Sequence, residues 1–256
     1  MGSSDAAFLT PTLFGFLLVL FRCAALCSVA PLFGMRAVPR RVRMGVSVAI
    51  TFAVYSGANF PIFAPQGQSL AGALIVAAIT ETAIGLVAGI CSKFAVEAAQ
   101  AAGQLISVSM GLSYGSVIDP IHGAESTAIS ELLGMFSLAA IVAAGTHREA
   151  VVWLCRSVIT VPPGSTVEIS SLAAAVVTQS MVAVALAVRM AFPVMVAVTF
   201  GHIGLGVLSR SAPQLSISSL GFALTIIAGG GALYMVAPSM VEIAARSAAT
   251  AFTGGQ

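Results

Sequence analysis

The stretch from Leu70 to Met110 follows a helical apolar pattern throughout, and at 1.5 Å per residue it reaches about 60 Å, twice the hydrocarbon thickness of a bilayer. Apolar runs of this kind recur along the chain. Of its 256 residues, 58% are hydrophobic and 8% are charged, whereas soluble domains carry roughly 25% charged residues. Composition and run length together predict an all-α, integral membrane-type helical protein with room for about six crossings. The runs are unbroken where the strands of a membrane barrel would alternate, which argues against that architecture. The net charge of +2 and the lack of basic runs interleaved with aromatics give no footing for nucleic acid.

In order, the pattern predicts helix one over about 8–33, with Arg22 near its middle. A mid-membrane arginine costs about 2.5–3.5 kcal/mol on insertion scales, so Arg22 should face protein. The segment 34–43 follows, and Arg36, Arg40, Arg41 and Arg43 form the strongest positive cluster. The positive-inside rule makes this loop cytoplasmic and puts the N-terminus outside. The same cluster would also serve to dock a cytoplasmic partner. The N-terminus lacks the positive flank of a secretory signal, so the first apolar run is expected to be retained.

Helix two is expected over about 44–63 and helix three over 70–110. The second half of helix three carries Lys93, Glu97, Gln100 and Gln104 among small residues, a polar face turned to water or to partners. Helix four is expected over about 126–146, with Ser126 as a possible cap. An amphipathic piece then runs to Thr160, with Trp153 as an interface anchor, and closes at Pro162-Pro163-Gly164. Helix five covers about 171–208, kinked near Arg189 and Pro193. A polar turn with Arg210, Pro213 and Gln214 leads to helix six, about 220–236, and a small-residue tail.

No catalytic constellation emerges, and the chain is read as a non-enzyme without cofactors. His122, His147 and His202 are scattered, with no second ligand at helical spacing. Cys23, Cys27, Cys91 and Cys155 lie in apolar segments and read as small buried hydrophobes. Gly201-x-x-Gly204-x-Gly206 reverses the dinucleotide spacing and follows no strand. Arg22, Glu81, Glu97 and Arg189 remain as charges expected to be buried in apolar surroundings. Of these, Glu81, Glu97 and Arg189 are the candidates for a proton or ion path; the alternative, preferred because no repeated relay residues accompany them, is an acid and an arginine pairing across helices, or facing a subunit interface.

One stretch breaks the membrane pattern. Residues 110–125 hold three glycines, an Asp119-Pro120 step and His122, yet keep Leu112, Tyr114, Val117 and Ile118. Gly111, Gly115 and Pro120 oppose a continuous helix. Backbone that is not helical sits at membrane depth only when protein or a water-filled cavity surrounds it. The stretch is therefore either a functional pore element or an ordinary connection folded over a helix end.

Taken in order, several motifs resemble the FliR family of flagellar biosynthetic proteins, which has relatives in virulence type III secretion. They begin with Arg22, Pro31-Leu-Phe-Gly34 and Val38-Pro39-Arg-Arg-Val42-Arg43-x-Gly45. Glu81-x-x-x-Gly85-x-x-x-Gly89, Ala102-Gly103, Gly111-Leu-Ser113 and Asp119-Pro120 continue the set. Gly145-Thr-His147, Pro163-Gly164, Ala191-x-Pro193 and Arg210-x-x-Pro213-Gln214 complete it. The resemblance implies a subunit of the protein-export gate in the bacterial inner membrane, multi-pass, at the base of the flagellum or secretion machine. It implies FliP-like and FliQ-like partner subunits, further export-apparatus membrane subunits, surrounding lipid and unfolded substrates in transit. Energy would come from a proton-motive-force-coupled subunit and an ATPase. The implied fold is a FliP-like region, 1–168, followed by a FliQ-like hairpin and tail, 169–256. It also implies that Gly111, Leu112, Tyr114, Gly115, Val117, Ile118, Asp119 and Pro120 form a plug across the closed pore. The alternative is a secondary transporter or channel for a small solute, with helices broken at Asp119-Pro120 and Pro193 near the midplane.

Overall fold

The computed structural model describes residues 3–31, 33–34, 38–57, 70–112, 127–211 and 217–253. Among them are seven α-helices and no strands: α1 (Ser3–Val29), α2 (Arg40–Gly57), α3 (Leu70–Ser109), α4 (Ala128–Ala143), α5 (Thr146–Thr160), α6 (Ile169–Ser211) and α7 (Ile217–Thr253). Four are long and apolar enough to cross a membrane, through Pro11–Val29, Gly72–Ser109, Ile169–Arg210 and Gly221–Phe252. Taken together as one broken span, α4 and α5 make a fifth.

Three differences from the sequence pattern matter here. α2 starts at Arg40 rather than near Met44, so Arg40, Arg41 and Arg43 ride on its first turn. Pro39 precedes that turn, and its carbonyl accepts the Arg43 N–H at 3.2 Å. With three arginines in 18 residues, α2 is not among the four candidate spans. α6 runs through Pro193 without a break, which removes one of the two broken helices that a transporter site would need. α7 carries on through the small-residue tail to Thr253. Alanine is the best helix former, and burial of Ala244, Ala248 and Phe252 anchors these last turns.

The chain forms two compact units. One comprises Met1–Phe94, Val142–Ser180 and Ala248–Gln256, and the other Ala95–Ile141 and Met181–Ser247. Their boundaries fall inside α3, α4, α6 and α7, α4 giving only its last two residues to the first unit. The division expected at 168/169 is a different partition, and it lies within the first unit.

In the first unit α1 packs on α2, and α2 on α5. Val19, Cys23, Leu26 and Cys27 of α1 meet Val54 and Tyr55 of α2, Leu154 and Val158 of α5, and Phe252 at the end of α7. Besides Val54 and Tyr55, α2 buries two polar side chains and exposes several apolar ones. Ser47 and Thr51 are buried, while Met44, Val48 and Phe52 are exposed. Their hydroxyls donate to the Arg43 and Ser47 carbonyls of their own helix, so neither is left unsatisfied. Trp153, expected as an interface anchor, lies half-buried with its ring 6.3 Å from that of Phe252.

The second unit centres on Ala99, Ala102 and Ile106 of α3, Leu133 of α4, Met190, Ala191 and Val194 of α6, and Met240 of α7. Here α3 and α4 approach backbone to backbone. A Cβ on Gly103 would lie 2.5 Å from Ser130 Cα and 2.8 Å from its N. The Ser130 hydroxyl donates to the Gln100 carbonyl at 2.9 Å across the same seam. Backbone cannot move aside as a side chain can, so Gly103→Ala is expected to lower stability by about 1–3 kcal/mol. Gly204→Ala, a helical site with nothing within 4 Å, should be neutral or gain up to about 1 kcal/mol. Thermal unfolding in detergent separates the two, and equal melting temperatures would refute the seam.

Candidate functional site

Two constellations place chemistry-bearing residues. The first is in the first unit, where Glu81, Gly85 and Gly89 recur every four residues and form one stripe of α3. A Cβ on Gly85 would collide with the Arg22 carbonyl oxygen, and one on Gly89 would lie 3.1 Å from that of Leu26. The glycines therefore let α1 lie directly against α3. That approach brings Arg22 onto Glu81, both with fully buried side chains.

Every strong group there is matched. Arg22 Nε donates to Glu81 Oε2 at 2.6 Å and Nη2 to Oε1 at 3.0 Å, a two-pronged pair. Nη1 donates to Ser157 Oγ at 2.8 Å and Nη2 also to the Val161 carbonyl at 3.0 Å. Glu81 Oε1 accepts a further bond from the Gly164 N–H at 3.1 Å. Gly164 has φ +84°, a left-handed conformation that glycine adopts without steric cost. The pair thus ties α1 and α3 to the end of α5 and the turn after it. Glu81 does pair with an arginine across helices, but the arginine is Arg22, expected from sequence only to face protein, and not Arg189.

The second constellation lies in the second unit and forms the base of the apolar stretch. α3 ends in a glycine cap: Leu112 N–H donates to the Ser107 carbonyl at 2.9 Å and Gly111 N–H to that of Val108 at 3.1 Å. Gly111 has φ +76°, which completes the six-to-one and five-to-two bonds of a Schellman motif. Gly111 is therefore a helix stop. Thr127 caps the start of α4 by accepting the Ser130 N–H at 3.4 Å. Its hydroxyl also lies 2.8 Å from that of Ser107, joining the two stems that bracket residues 113–126. Met110 is buried over Gly229 of α7, where a Cβ would come within 2.8 Å of its Sδ. Leu112, the last residue of the stem, is 39% exposed.

The other predicted residues are placed as follows. Tyr114, Gly115, Val117, Ile118, Asp119, Pro120, His122 and Ser126 lie outside the described residues, as do Arg36, Pro213 and Gln214. Arg40 and Arg41 are exposed, and Arg43 is half-buried. Arg210 is exposed in the last turn of α6, where a cation favours the helix dipole. Glu97 and Arg189, expected to be buried, are exposed. Their helices instead turn Ala98 and Ala99, and Ala187, Met190 and Ala191, inward. Of the polar face on α3, Glu97 and Gln104 are exposed, while Gln100 is half-buried, its side chain against Gly134. Among the described residues, no group of three His, Cys, Asp or Glu side chains is placed to hold a metal ion.

Sequence reasoning missed Ser157, Val161 and Gly164 as partners of the ion pair, and Ser107 and Thr127 as the loop clasp. The Glu81-Gly85-Gly89 spacing signals a seam. Nothing local identifies the far side of either network, which lies 76 or more residues from Glu81 in one case and 20 residues from Ser107 in the other.

Two outcomes are expected. Glu81→Ala leaves a buried guanidinium uncompensated and should destabilise by about 3–5 kcal/mol, whereas the double change Arg22→Met, Glu81→Leu should recover most of that loss. A double variant as unstable as the single would show that the two do not act as a pair. At the cap, Gly111→Ala should cost about 1 kcal/mol and Gly111→Asn less, because asparagine tolerates left-handed backbone better. The order of melting temperatures checks this.

Residues 13–251 match the family of bacterial export proteins, family 1. Similar relatives are flagellar biosynthetic proteins FliR. The one from Pectobacterium carotovorum is 30% identical over 85% of this chain and 82% of its own length. That of Escherichia coli K12 is 29% identical over 82% and 79%, and that of Bacillus subtilis is 28% identical over 82% and 81%. A match of this extent, to four long apolar helices and nearly the whole ordered motif set, makes the chain a member of the FliR family of bacterial export proteins.

Proposed function

We propose that the chain is a non-enzymatic subunit of a type III protein-export gate in the bacterial inner membrane, and that residues 111–120 plug its pore. The observation that carries the reading is the base of this stretch: a capped helix end at Gly111 and a Ser107–Thr127 clasp, between which the sequence sets an apolar segment. A seal needs a rigid frame and a small movable part. Leu112, Tyr114, Val117 and Ile118 supply the apolar surface that excludes water and ions, and Asp119-Pro120 supplies a turn. Unfolded substrates pass when the stretch moves aside. The partners are FliP-like and FliQ-like subunits, with the chain itself divided into a FliP-like region and a FliQ-like hairpin after 168/169. Lipid contacts the remaining apolar faces.

The Ser107–Thr127 clasp lies outside the seal and should survive its loss. Deleting residues 111–117 is expected to make the membrane leaky to ions while the chain still assembles with its partners. Conductance unchanged by the deletion, in an assembled complex, would refute the plug.

A further inference from the structure

We propose that the start of α2 is a binding site for anionic phospholipid, in which Arg40 and Arg41 engage the phosphate while Met44, Val48 and Phe52 lie along the acyl chains. α2 is the short basic helix that is not among the candidate spans. Arg41, Met44, Val48 and Phe52 fall at i, i+3, i+7 and i+11, along one face of the helix. Arg41 is exposed, and the three apolar side chains are 69%, 47% and 67% exposed. Arg40 is exposed in the same turn. Among the described residues, neither Arg40 nor Arg41 makes an ion pair or hydrogen bond. Between Asp5 and Glu81 the sequence holds no acidic residue, so no carboxylate on this stretch of chain neutralises them. Cations at a helix N-terminus also oppose the helix dipole, so the helix itself gains nothing from them.

The spacing of charge and apolar surface identifies the anion. From Arg40 to Met44 the helix rises about 6 Å, and the headgroup layer on each side of the hydrocarbon is about 5–8 Å deep. From Arg40 to Phe52 it rises about 18 Å, close to the depth of one leaflet. With α2 upright and Met44 at the edge of the hydrocarbon, both guanidinium groups stand level with the phosphates, whose oxygens their forked donors match. An acidic protein surface would meet the arginines but leave the apolar stripe below them uncovered. A phospholipid covers both. The positive-inside rule sets these arginines beside the cytoplasmic leaflet, where anionic lipid attracts basic segments next to the membrane.

This lipid site and the plug stand or fall separately. The full chain is reconstituted in nanodiscs of phosphatidylcholine and phosphatidylglycerol in equal amounts, with one or the other carrying a photoreactive headgroup, and the crosslinked residues are mapped by mass spectrometry. Phosphatidylglycerol should label residues 39–44 about tenfold more than phosphatidylcholine. The preference should persist in Arg40→Lys, Arg41→Lys, vanish in Arg40→Gln, Arg41→Gln, and shrink as salt is raised. Equal labelling by the two lipids in wild type overturns the site, and so does a preference that the glutamines leave intact. In cells, a photo-crosslinker at Val42 that captures protein and no lipid overturns it likewise, in favour of a docking surface for a cytoplasmic partner. Should the glutamine chain fail to insert, the salt series on wild type decides, and a preference unmoved by salt overturns the site.

Discussion

A charge removed from water is tolerable only when other groups replace what water supplied, and the Arg22–Glu81 pair meets that condition. Four donor contacts leave the guanidinium and three reach the carboxylate. Its geometry depends on glycine. Without Gly85 and Gly89, α1 could not lie against α3, and the arginine would not meet the acid. Buried pairs are weak contributors to net stability but exacting about position. This one brings three separate parts of the first unit to a single point.

In the second unit, the seam and the helix ends around the apolar stretch are made by uncharged contacts. Gly103 and Ser130 bring α3 and α4 into backbone contact, Gly111 stops α3, and Thr127 starts α4. These are short-range features of standard kinds, a close seam, a glycine cap and a hydroxyl cap. Their joint effect is to set where the apolar stretch leaves the helices.

Exposed apolar surface is the other constraint. α3, α6 and α7 are longer than a bilayer is thick, and they display valine, isoleucine and phenylalanine along much of their length. In an isolated soluble chain such surface would promote aggregation. In a family of export proteins it belongs against lipid and other subunits.

The sequence by itself determined the helical class, the extent of α3, the break after it and the membership of an export family. Apolar periodicity, run length and glycine spacing are local properties, and a helix satisfies its backbone bonds locally. It also required Arg22 to face protein. Sequence did not place the ends of α2 and α7. There Arg40, Arg41 and the Ala244–Ala248 tail look unlike membrane helix but continue one whose other residues are anchored by packing. Tertiary structure alone decided that Glu81 is the partner of Arg22, that Gly164 completes the pair and that Ser107 clasps Thr127. It also decided that Glu97 and Arg189 point outward. Each of these depends on which face a helix turns to a neighbour distant in sequence, and a one-dimensional pattern of small and apolar residues leaves that choice open.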